Sequence, residues 1–87
     1  MSYLLVRHKV ENFDTWKSAY DSHHTARAVA GLKEVHLLRN QSDPNDIVIL
    51  FEAHDMEKAR AFASSHDLRQ VMKEAGVRGT PEILELQ

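Results

Sequence analysis

The sequence predicts an α+β fold of β-α-β-β-α-β order, and three observations carry that expectation. Short runs of β-forming residues alternate with two stretches whose apolar residues recur at helical spacing. Glycines and short polar residues fall where those stretches begin and end. The strand-like runs are also apolar on both faces, which two helices on one side of a sheet cannot cover.

Tyr3 to Val10 is rich in β-formers and stops at polar Glu11-Asn12, so it is predicted as the first strand. Asn12 supplies an N-cap for a helix from Phe13 to about Ala30. Along it Phe13, Trp16, Ala19, Tyr20, Ala26 and Ala30 share one side, with Asp14, Lys17, Ser18 and Asp21 opposite. Gly31 ends the helix, because glycine tolerates the left-handed conformation there. Leu32 to Asn40 and Asp46 to His54 read as the second and third strands. Gln41 to Asn45 joins them, and Ser42-Asp43-Pro44-Asn45 carries turn chemistry that predicts a hairpin of moderate loop length. Asp55 caps a second helix with Met56, Ala59, Phe62 and Ala63 inward. Ser64-Ser65 interrupts it, and Leu68, Val71, Met72 and Ala75 resume the stripe as far as Gly76. A Gly79-Thr80-Pro81 turn leads into a short last strand, Glu82 to Leu86. This order closes into a four-stranded antiparallel sheet with both helices on one face.

The apolar pattern then demands a partner. Ile47-Val48-Ile49-Leu50-Phe51 runs without a polar break, and Tyr3-Leu4-Leu5-Val6 opens the first strand the same way. The face away from the helices is therefore expected to be covered from outside, most simply by a second copy in a homodimer. Size points the same way. The 87 residues make one domain, and a chain of this length buries only about 60% of its unfolded surface.

Composition narrows the function classes. With Cys 0, thiol catalysis and disulfides are excluded, which fits a cytoplasmic chain. The first ten residues hold one short apolar run broken by Arg7, His8 and Lys9, too brief for a signal peptide or a membrane span. A net charge of -2 with scattered lysines and arginines gives no basic stripe, so nucleic acid is not an expected partner. No HExxH, no His pair at i, i+4, no GxSxG elbow and no phosphate loop appears, so neither a metal nor another cofactor is expected.

Val6-Arg7-His8-Lys9-Val10, Phe13-x-x-Trp16, Gly31, Ala59-x-x-Phe62 and Ser65-x-x-Leu68-Arg69-x-x-Met72-x-x-Ala75-Gly76-Val77 followed by Pro81 together resemble the dimeric α+β barrel superfamily. The likeness is to its small antibiotic-biosynthesis-monooxygenase-like members, which are ferredoxin-like, and it spans nearly the whole chain. The resemblance implies a sheet-to-sheet dimer with a cleft between each sheet and its helices for a small organic molecule. It also implies a choice of chemistries, since some relatives oxidise electron-rich aromatics with O₂ and no flavin or metal, and others isomerise lactones, degrade haem or sense ligands. The Asn, Trp and His set of the haem-degrading branch has no counterpart, because Trp16 lies on a helix and the first strand holds no Asn.

The residues themselves offer a short list of candidates. On a regular helix His23 and Arg27 point within roughly 20° of Trp16. With Tyr20 they form either one wall of a ligand pocket, Arg27 meeting an anionic oxygen, or the solvated end of an ordinary helix. On the pocket reading, His23 and Arg27 are dispensable for folding. His8 is in phase with Leu4, Val6 and Val10, so it is either a base or a hydrogen-bonded interior histidine. Glu52, in phase with Val48 and Leu50, is either a carboxylate of raised pKa suited to proton abstraction or a solvated strand-end acid. His24, His36 and His66 are expected at the surface. Two functions remain open: a cofactor-independent monooxygenase, cyclase or isomerase acting on a small aromatic or enolisable compound through His8, His23 or Glu52, or a non-catalytic ligand-binding or stress-related module.

Overall fold

The structure, a computed structural model, describes residues 1–87. Its elements are β1 (Ser2–Val10), α1 (Phe13–Ser22), α2 (His24–Val29), β2 (Leu32–Asn40), β3 (Asp43–Ala53), α3 (Met56–Ala63), α4 (His66–Glu74) and β4 (Val77–Leu86). The strands form one antiparallel sheet in the order β2-β3-β1-β4. The fold is the expected ferredoxin-like arrangement, with each helical stretch divided in two.

The predicted stops and starts act through identifiable bonds. Asn12 Oδ1 accepts from the Thr15 amide at 3.0 Å to cap α1, and Asp55 Oδ1 accepts from the Glu57 amide at 3.0 Å to cap α3. Ser65 Oγ accepts from the Leu68 amide at 3.1 Å, so the serine pair that interrupts the second helical stretch also starts α4. Gly31 and Gly76 end α2 and α4 at φ values of 75° and 86°, which glycine alone adopts without strain.

Three expectations are corrected. The first helix does not run unbroken to Ala30, because His23 takes φ -97° and ψ 14° and separates α1 from α2. The loop between the second and third strands is only Gln41-Ser42: Asn40 Oδ1 accepts from the Ser42 amide at 2.9 Å, and Asp43, Pro44 and Asn45 already belong to β3. Finally, Gly79-Thr80-Pro81 is not a turn ahead of a short strand. It is a bulge inside a longer one: Arg7 pairs with Glu82 and Lys9 with Arg78, leaving His8 opposite three residues. Gly79 takes φ 69° there, and Pro81, which has no N–H to donate, is tolerated because β4 is an edge strand.

Alternation along the strands decides what each face meets. Leu4, Val6, Val10, Ile47, Ile49 and Phe51 are buried against the helices, where Trp16 and Ala59 complete the core. The other face carries Leu5 between Leu50 and Leu84, and Leu38 beside Val48, since directly paired residues point to the same side. No helix covers it, and Leu38 and Leu84 are about half exposed, at 55% and 51%. At one end of that face Asp46 is almost fully buried under a bidentate bond from Arg7, with Nη2 to Oδ2 at 2.8 Å and Nε to Oδ1 at 3.2 Å. Asn40 Nδ2 adds a third bond at 3.0 Å. The Arg7 bond first, and the Asn40 bond second, lower the Asp46 pKa to about 2.

Candidate functional site

His8 is the most unusual residue of the interior. Its phase on β1 sends the ring under the helices among Leu4, Val6 and Val10, and only 5% of the residue is exposed. Neither ring nitrogen has a hydrogen-bond partner. A buried polar group left unpaired costs about 1–3 kcal/mol, and native structures retain few of them. Burial also pushes the imidazole pKa down to about 4, against a smaller opposing pull from Asp46, so the ring is neutral at pH 7.

Beside it stands an aromatic stack built by α1. His8 meets Trp16 edge-on, with ring centroids 5.3 Å apart at 80°, and Trp16 stacks on Tyr20 at 4.8 Å and 26°. The Arg27 guanidinium covers the far side of Tyr20, its Cζ 3.6 Å from the ring centroid. Arg27 Nη1 donates to the Tyr20 carbonyl at 2.6 Å, closing the joint between α1 and α2. Tyr20 is held from the sheet side as well, its hydroxyl donating to Glu34 Oε1 at 2.7 Å; burial, then this bond, raises the Tyr20 pKa. At the joint, His23 reaches across to α3 and lies near-parallel to Phe62, 6.0 Å away.

Between the stack, the sheet and the second helical pair lies an apolar cavity of about 70 Å³. His8, Trp16, Tyr20, His23 and Arg27 all line it, so the structure brings together five of the six residues singled out from sequence. Glu52 is the exception. It sits on the uncovered face of β3, between Tyr3 on β1 and Lys33 on β2, with the sheet separating it from the cavity. Phe62, Leu68, Val71 and Met72 form the opposite wall, which their pattern does not reveal, since an apolar stripe at helical spacing reads the same whether it packs solidly or borders a void. His24, His36 and His66 are exposed, as expected.

Arg27 differs from its expected role in one respect: it is a clamp of the fold as well as a wall of the cavity. Arg27→Ala should lower unfolding stability by about 1.5 kcal/mol, through loss of a charged donor on a backbone carbonyl. His23→Ala removes one aromatic contact and should cost about 1 kcal/mol or less. Urea titrations of the two variants check the difference, and equal losses would show that the Arg27 bond contributes nothing net.

The chain is thus a ferredoxin-like α+β protein whose sheet and single helix layer border an apolar cavity with one unpaired histidine. No family model matches the sequence, and no curated protein matches it. Solved structures do match, and the fold is that of the antibiotic-biosynthesis-monooxygenase-like proteins. A candidate antibiotic biosynthesis monooxygenase from Bordetella bronchiseptica superposes with a TM-score of 0.77 at 14% identity, over 99% of this chain and 94% of that one. SnoaB, a cofactor-independent oxygenase from Streptomyces nogalater, gives 0.71 at 17% identity, over 99% of this chain and 90% of its own. An uncharacterized NIPSNAP domain protein from Burkholderia xenovorans gives 0.67 at 9% identity, over 100% and 93%. At these identities the likeness is one of fold.

Proposed function

We propose that the protein binds a small aromatic or enolisable molecule in the His8 cavity and acts on it as a cofactor-independent monooxygenase, cyclase or isomerase. The observation that carries this reading is His8 itself: a neutral imidazole with both nitrogens free, facing an apolar space bordered by aromatic rings. A hydroxyl or an acidic C–H of the ligand gives His8 the partner it lacks. Proton transfer to His8 leaves an anion beside an imidazolium in a low-dielectric site, and their attraction offsets the burial that holds the free pKa low. The electron-rich anion is the species that reacts with O₂ in an oxygenase, or is reprotonated at another atom in an isomerase. Arg27 has N–H groups left after its bond to Tyr20, and these meet an oxyanion at the cavity rim. The test is O₂ uptake and substrate loss with a panel of phenols, quinols and enolisable lactones. Tight binding with no conversion of any of them leaves a ligand-binding module as the function.

The same reading includes a homodimer in the cytoplasm, formed through the uncovered sheet face. Its support is the exposed Leu38, Leu84 and Leu86 on a face that no helix covers, where a sheet face meeting water carries polar residues instead. No helix is long and apolar enough to cross a membrane. Light scattering at micromolar concentration should give twice the 10.0 kDa chain mass, and Leu50→Lys should return monomer or aggregate. A wild-type monomer at that concentration overturns the dimer.

A further inference from the structure

We infer that α4 is a lid that opens by local unfolding between the Ser64-Ser65 joint and Gly76 to admit molecules to the cavity. This rests on the reading of that cavity as the ligand site. The first observation is size. A cavity needs on the order of 150 Å³ to hold a single benzene ring, and this one is about 70 Å³. A ring-sized ligand therefore needs more room than these walls leave it, and part of the wall moves outward to seat one fully.

Three features single out α4 as that part. Its apolar stripe is only half buried: Leu68, Val71 and Met72 all line the cavity, and no residue within the helix is buried, whereas α1 buries Trp16, α3 buries Ala59, and α2, which also buries none, is clamped to α1 by the Arg27–Tyr20 bond. Its side-chain bonding stays at home. Gln70 donates to Glu74 within the helix, while α3 is tied to β4 by the Arg60–Glu85 ion pair at 2.7 Å and α1 to β2 by the Tyr20–Glu34 bond. Its ends are also built as joints, a capped serine at one and a glycine of positive φ at the other, where the Glu11 amide donates to the Gly76 carbonyl at 2.9 Å and keeps the pivot in place. A segment with few buried apolar contacts and no side-chain bonds to its neighbours opens at lower free energy than the core. Opening α4 withdraws three cavity-lining side chains at once, and a ligand in the enlarged space gives their inner faces something to pack against.

The test uses the full-length protein, toluene as a ring-sized apolar probe, and Trp16, the one tryptophan of the chain and a cavity wall, as the fluorescent reporter. Native-state hydrogen exchange should show the amides of Arg69 to Ala75 opening together, at least a hundredfold more often than those of Val6 and Ile49. Ser65→Ala removes the cap of α4 and the hydroxyl's 2.8 Å bond to the Phe62 carbonyl while leaving every cavity-lining side chain in place, and should raise both that opening and the toluene association rate by about fivefold, the equivalent of roughly 1 kcal/mol of capping. Ser65→Thr keeps both the cap and that bond and should restore both. If α4 amides exchange only with the core, or toluene binds at the same rate to wild type and Ser65→Ala, the lid is refuted while the cavity stands as a binding site. If toluene binds neither protein, the cavity is no ligand site and the lid falls with it.

Discussion

His8→Phe is expected to lower turnover by 10²- to 10⁴-fold, the contribution of a positioned general base, while making the protein more resistant to acid. The two halves of this prediction have different causes. Phenylalanine carries a flat ring larger than imidazole, and the apolar space beside His8 takes up the difference, so packing against Trp16 is retained and two unpaired nitrogens are removed from the interior. The proton site is lost with them. For the acid response, the folded pKa of about 4 lies below the 6.5 of an unperturbed histidine. Between these values the unfolded chain binds a proton that the folded one refuses, so wild-type stability falls as pH drops from 6.5 to 4. At 1.36 kcal/mol per unit the loss reaches about 3 kcal/mol at the lower limit. His8→Phe has no such loss. Below pH 4 both proteins weaken together, as Asp46, held near 2 by Arg7 and Asn40, finally takes up its proton. Urea midpoints measured at pH 7 and pH 4.5, at one protein concentration, separate the cases. An equal drop in both proteins would mean that His8 is hydrated and protonates freely, and an active His8→Phe would remove it from the chemistry.

The frame was legible because it is written in local signals. Asn12, Asp55, Gly31 and Gly76 each act within a few residues of themselves, through a cap or a positive φ, and each stands where the pattern placed it. Two of the three errors have their source in contacts between distant segments, while the tight Gln41-Ser42 loop rests on the local bond from the Ser42 amide to Asn40. The first helical stretch breaks at His23, a residue without helix-breaking character, whose ring reaches across to Phe62 on α3. The bulge at Gly79 depends on its register against His8 and Lys9, seventy residues earlier in the chain. For the site, strand phase correctly placed His8 inside, and helix phase grouped Trp16, Tyr20, His23 and Arg27, even though the helix breaks among them. Period two put Glu52 in phase with Val48 and Leu50, and only the register of β3 against β1 shows that this is the face away from His8 and the cavity. The void itself left no mark in the sequence. Leu68, Val71 and Met72 have the spacing of core residues, and whether such a stripe closes on its neighbours is settled by the angle and distance of a whole helix.

Trp16→Ala should cost about 3–5 kcal/mol of unfolding free energy, a large part of the roughly 4–13 kcal/mol expected for a chain of this size. The indole is 3% exposed and touches aromatic rings on three sides: Phe13 at 5.9 Å, Tyr20 at 4.8 Å and His8 at 5.3 Å. Each such pair adds about 0.5–1.5 kcal/mol beyond the area it buries, and the helix cannot collapse onto the space because Arg27 and Glu34 hold Tyr20 from both sides. The loss therefore falls near the top of the range rather than being relieved by repacking. Trp16→Phe keeps a ring in the stack and should cost no more than about half as much. Unfolding must be followed by circular dichroism, since the substitution removes the only tryptophan. A loss below about 2 kcal/mol would show that α1 moves in to close the gap, and would undercut the rigid wall on which the position of His8 relies. A loss in the expected range with the cavity enlarged predicts in addition that Trp16→Ala binds toluene faster than wild type, measured for both by NMR line shapes of toluene because the variant lacks the tryptophan reporter, since the ring no longer waits for the protein to open.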